Sequence, residues 1–89
     1  MTINVDKFLE AGEIGGLATR TVETFTPSPA QTVFNLAMVP TVPNDTQFFV
    51  NNVKYLLTTD FTVVGSVVTW LDTEFALDSA DSVEIIYFV

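Results

Sequence analysis

Cysteine and histidine are both missing from this chain, and cations are scarce: three lysines and arginines stand against eleven aspartates and glutamates in 89 residues. Without cysteine there is neither a disulfide framework nor a thiolate metal site. Without histidine, the usual general base near neutral pH and the commonest zinc ligand are gone. No apolar run approaches the roughly 20 residues of a membrane-spanning helix. Residues 1–6 have neither the basic start nor the continuous apolar core of a secretory signal, so a soluble cytosolic product is expected. The formal charge of −8 repels phosphate backbones and anionic lipid, which argues against nucleic acid and membrane surfaces as partners.

What the chain does have is apolar residues: 48% are hydrophobic and only 16% charged, a greasier balance than an average soluble protein. Its length suits one domain, and a domain this small hides only about 60–65% of the surface its unfolded chain exposes. Either the core is unusually rich for its size, or a neighbouring chain covers part of the apolar surface.

Residues 1–19 read as an arm. Asn4 can cap, and Gly12 can end, a short helical stretch over 5–11, on which Val5, Phe8 and Leu9 make one apolar stripe. So short a helix needs something to pack against. Gly12, Gly15 and Gly16 then form a joint.

Residues 20–89 read as strands. A strand over 19–26 carries Val22 and Phe25 and is stopped by Pro27 and Pro29. Alternation over 30–36 sets Thr32, Phe34 and Leu36 against Gln31, Val33 and Asn35. After a loop holding Pro40 and Pro43 come two hairpins: 47–50 and 53–56 around Asn51-Asn52, and 61–64 and 67–70 around Gly65-Ser66. The asparagines suit a type I′ turn and the glycine a type II′ turn. In the second hairpin Val63 meets Val67 or its diagonal neighbour, and Trp70 lies beside Phe61. The last strand, 82–89, alternates Val83, Ile85, Tyr87 and Val89 against Glu84, Ile86 and Phe88. Apolar on both faces, it is central in a sheet or sits at an interface, with Ile86 and Phe88 as candidate contacts between subunits. Six or seven strands result, an all-β fold.

Candidates for chemistry are few. Lys54 reads as a solvated hairpin lysine guarding an edge. Gly12-Glu13-Ile14-Gly15-Gly16 is no phosphate loop, because no Lys-Ser or Lys-Thr follows it. Asp72, Glu74, Asp78, Asp81 and Glu84 form the densest acidic run. A glycosidase pair or a calcium site has the right residue types, but the spacing matches no calcium loop, and a solvated connection is the default. No catalytic residue, cofactor or metal is assigned.

The succession Phe25-Thr26, Gln31 to Leu36, a proline loop, Phe48 to Val53, Asp60 to Val63, Val67 to Trp70 and Asp81 to Phe88 resembles a small β-sandwich module of tailed-bacteriophage virion proteins, which recurs in tail fibres, head fibres and capsid decoration proteins. The similarity spans roughly residues 22–89; its departure is Asn52, where the module usually has glycine. The resemblance implies a small antiparallel β-sandwich of about six to seven strands with a short N-terminal arm. It also implies a non-enzymatic virion structural protein, most simply a capsid decoration or head-fibre component assembled in the host cytoplasm. Such a protein attaches to the major capsid protein or another virion protein and is homo-oligomeric, a trimer by analogy. The arm, through Ile3, Val5, Phe8 and Leu9, is then the attachment device. The alternative is a tail-fibre or adhesin-type module that recognises carbohydrate, using Trp70 or Tyr55 near Asp72 and Asn52.

Overall fold

The structure, a computed structural model, describes residues 19–89. The apolar stripe Ile3, Val5, Phe8 and Leu9, the short helix and the glycine joint lie outside the described residues. Among the described residues, seven strands run in the order β1 (Arg20–Phe25), β2 (Val33–Asn35), β3 (Gln47–Val50), β4 (Val53–Tyr55), β5 (Phe61–Val64), β6 (Val67–Trp70) and β7 (Val83–Phe88), with one 3₁₀ turn at Pro43–Asp45. They form two antiparallel sheets, β1-β7-β3-β4 and β2-β6-β5. The expected all-β architecture is the one observed.

The turn chemistry places the hairpins as read. Asn51 and Asn52 both have positive φ, 51° and 70°, as a type I′ turn requires, and Val50 opposes Val53. Gly65 has φ 59° and Ser66 does not share the positive sign, in keeping with type II′. That two-residue turn fixes Val64 opposite Val67 and Val63 opposite Val68, so the expected Val63–Val67 meeting does not occur: the two side chains lie on opposite faces of the sheet, while Phe61 opposes Trp70 as expected. In the segment 30–36 the alternation holds, since Phe34 and Leu36 are buried and Val33 is exposed. The ladder is shorter than the pattern, however, because Ala30 turns at φ 62° and pairing starts only at Val33.

The last strand is central, flanked by β1 and β3. Its inward residues Val83, Ile85 and Tyr87 join Phe48 and Val50 and face Phe34, Phe61, Val68 and Trp70 of the other sheet, with Leu36 and Leu77 added from connections. Phe48 bolts the two layers together. Its ring lies 5.1 Å from Trp70 (stacked), 5.3 Å from Phe61 and 5.7 Å from Phe34, all three on the opposite sheet. Each such side chain contributes about 1.5–3 kcal/mol by burial, so this aromatic cluster is a large part of what holds the two sheets together.

Candidate functional site

The interior accounts for the largest apolar side chains; the rest of the apolar excess is outside. In the three-stranded sheet the inward positions are Phe34, Phe61, Val63, Val68 and Trp70, which by strand alternation leaves Val33, Asn35, Thr62, Val64, Val67 and Thr69 on the outer face. None of these is charged, and five of the six are β-branched. In a chain of net charge −8 this is a neutral face. The acidic residues Asp45, Asp72, Glu74, Asp78 and Asp81 sit in connections, off both sheets.

The outer face of the four-stranded sheet is mixed. Arg20, Val22 and Thr24 lie beside Glu84, Ile86 and Phe88, then Gln47 and Phe49, then Lys54. Ile86, at its centre between Val22 and Gln47, is only 6% exposed, whereas Phe88 is half-buried. Of the two candidate subunit contacts, Phe88 presents the larger surface.

At one end of this sheet lies a cleft of about 350 Å³, lined by Asn44, Asp45, Gln47, Lys54, Tyr55 and Phe88, with Thr46, Leu56 and Leu57 completing it. Its lining residues carry one carboxylate, two amides, an ammonium group and the outer-face ring of Phe88, whereas the Tyr55 ring turns inward onto Trp70 and Phe75. Sequence reasoning missed it, because Asn44 and Asp45 read only as loop residues beside Pro43.

Trp70 does not belong to any surface site. It is 1% exposed, its indole Nε1 donates to the Phe75 carbonyl at 3.0 Å, and Tyr55 packs edge-on against it at 5.2 Å. A sugar platform on Trp70 is therefore ruled out. Tyr55 lines the cleft, but Asp72 and Asn52 do not. Both are exposed turn residues with positive φ.

The acidic run is dispersed into local turn bonding. Asp81 accepts from Asn51 Nδ2 at 2.9 Å and from the Asp78 N–H at 3.0 Å, and Asp78 accepts from the Ala80 N–H at 2.7 Å. Among the described residues there is no group of three or more metal-ligating side chains close enough to share an ion. Lys54 is exposed on the edge strand β4.

Two titratable groups are built into the fold. Asp60, 4% exposed, accepts from the Thr73 hydroxyl at 2.5 Å and from the Leu56 N–H at 2.9 Å. The Thr73 hydroxyl and then the Leu56 N–H hold its carboxyl below its ordinary value, against the opposing pull of desolvation. Tyr87 is wholly buried and donates its hydroxyl to Glu23. Burial, then the bond to Glu23 and that carboxylate's charge, push its phenol up. Neither group lines the cleft, so both serve architecture. Comparison of this chain with family models, with curated proteins and with solved structures returned no match.

Proposed function

We propose that this chain is a non-enzymatic contact protein of a bacteriophage virion, a capsid decoration or head-fibre component that binds the major capsid protein or another virion protein. The observation that carries this reading is the uncharged outer face formed by Val33, Asn35, Thr62, Val64, Val67 and Thr69. A β-branched face loses little side-chain entropy when covered, and no charge on it needs desolvation. Its acidic loops stay in water and keep the bound particle soluble. Docking of this face, with the arm residues Ile3, Val5, Phe8 and Leu9 as a second attachment, stabilises the shell by mass action. The resemblance to phage sandwich modules supplies the identity of the shell.

Particles purified on a density gradient from cells producing the chain provide the test. The wild-type chain is expected to travel with the particles. Val64→Glu is expected to stay at the top of the gradient while keeping the wild-type unfolding midpoint, and deletion of residues 1–17 is expected to weaken attachment. A chain that never travels with particles contradicts the proposal, and one that attaches equally well without residues 1–17 removes the arm from it.

A second reading is favoured by the cleft. An aromatic ring beside a carboxylate and amides suits a saccharide, as in a tail-fibre or adhesin-type recognition module, with Phe88 as the platform and Asp45, Asn44 and Gln47 as hydroxyl partners. Amide NMR spectra recorded with a panel of neutral and acidic oligosaccharides decide it. Shifts confined to Asn44–Gln47 and Lys54–Leu57 support it, and unchanged spectra dismiss it.

A further inference from the structure

Four strands lie at sheet edges: β1, β4, β2 and β5. Three of them are short and guarded. In β4 only the Lys54 main chain faces outward, beside an exposed charged side chain. In β2 the carbonyl of Val33 accepts Gln31 Nε2 at 2.9 Å. In β5 the carbonyl of Phe61 accepts the Thr58 N–H at 2.6 Å.

Strand β1 is open. It is six residues long, Arg-Thr-Val-Glu-Thr-Phe, with no proline, glycine or lysine. Thr19 and Val89 exchange both main-chain hydrogen bonds, at 2.8 and 3.0 Å, and an antiparallel ladder alternates from such a pair. Thr21, Glu23 and Phe25 therefore bond to β7, while the N–H and C=O groups of Arg20, Val22 and Thr24 point away from the sheet. None of these outward groups has a main-chain partner among the described residues. Val22, in the middle, is 40% exposed. Such an edge is a template for another strand.

We propose that β1 pairs antiparallel with β1 of a second copy about a two-fold axis through Val22, joining the two four-stranded sheets into one. The register follows from the residues. Only a ladder centred on Val22 pairs every outward group: Val22 with Val22, and Arg20 with Thr24 on both sides. Side-chain parity agrees, because Arg20, Val22 and Thr24 all lie on the outer face, which becomes continuous across the axis. Charge agrees as well. Thr24 opposes Glu84 within one protomer, so Arg20 of the second copy lies on the far side of Thr24 from Glu84. Strands are about 4.8 Å apart, and the two long side chains meet over the short threonine. This pairing gives dimers, where the phage resemblance implies trimers, and it does not rest on the virion reading.

The full-length chain tests it by amide hydrogen exchange at rising concentration. The amides of Arg20, Val22 and Thr24 gain protection on dimerisation, while those of Thr21 and Glu23 are protected throughout. Val22→Pro removes an outward N–H that β7 does not use, a substitution edge strands tolerate, and leaves a folded monomer. Arg20→Glu weakens the dimer about tenfold or more, and adding Glu84→Arg restores it. Exchange at Arg20, Val22 and Thr24 that ignores concentration overturns the proposal, as does a folded Val22→Pro chain of unchanged mass. Should the proline variant fail to fold, the Arg20→Glu and Glu84→Arg pair decides alone: no weakening, or no rescue, refutes the interface.

Discussion

Tyr87 and Glu23 form a clasp across the edge of the sandwich. The buried phenol on β7 donates to the Glu23 carboxylate on β1, and the same Oε2 accepts the Ala37 N–H at 2.9 Å. One carboxylate thus ties the edge strand to the connection that crosses beneath it. Tyr87→Phe loses a charge-assisted bond and is expected to cost about 1 kcal/mol, or about 4–8 °C in thermal midpoint. The phenol's pKa is raised above its ordinary 10.0 in the folded chain. Its contribution is therefore complete below that value and vanishes as pH climbs through the folded one. Alkaline unfolding followed by circular dichroism should be steeper in wild type than in Tyr87→Phe, and equal slopes would refute the clasp.

Asp60 gives the opposite limb. Its carboxyl is held low by Thr73 and Leu56, so its share of stability is full above the ordinary carboxylate value of 3.8 and is lost as pH falls through the folded one. Asp60→Asn should lower the denaturant midpoint at pH 7 and flatten the acid limb. Thr73→Val should do the same more weakly. An acid limb as steep in Asp60→Asn as in wild type would show that other carboxylates govern it.

Thr46 is 4% exposed and its hydroxyl has no hydrogen-bond partner among the described residues. An unpaired buried hydroxyl costs about 1–3 kcal/mol, and valine has nearly the same shape. Thr46→Val is expected to raise stability by about 1 kcal/mol, read from chemical denaturation; a loss would mean the hydroxyl is bonded in solution.

Backbone strain sits at Thr58, a β-branched residue at φ 75°. Asparagine accepts this region more readily, so Thr58→Asn should stabilise by about 1 kcal/mol. Gly65→Ala makes the contrast. Among the described residues nothing lies within 4 Å of an added Cβ, but φ is +59°, so the expected loss of about 1 kcal/mol is conformational. Thermal midpoints of the two variants should move in opposite directions.

Much of this architecture is legible in the residue pattern, for physical reasons that are local. Asn51-Asn52 and Gly65-Ser66 dictate turn type, turn type dictates register, and register places Phe48, Phe61 and Trp70 inward. The two-sided apolar pattern of β7 signals its central position. What the pattern hides is set by tertiary packing. Asp60 follows two threonines and reads as a solvated turn, yet it is buried as the hub of the β4–β5 connection. The cleft joins Asn44 and Asp45 to Lys54, Tyr55 and Phe88, residues distant in sequence that no local rule links. Trp70 has the composition of a sugar platform and the packing of a core residue, and only the sheet-to-sheet stack with Phe48 decides between them.

Light scattering over a wide range of protein concentration decides whether this sandwich is completed by contact with other copies of the chain. The chain weighs 9.8 kDa. The mass is expected to rise with concentration to a plateau at twice that value. A single-chain mass at every concentration would contradict completion by other copies, and a plateau at three chains would refute the β1 pairing alone.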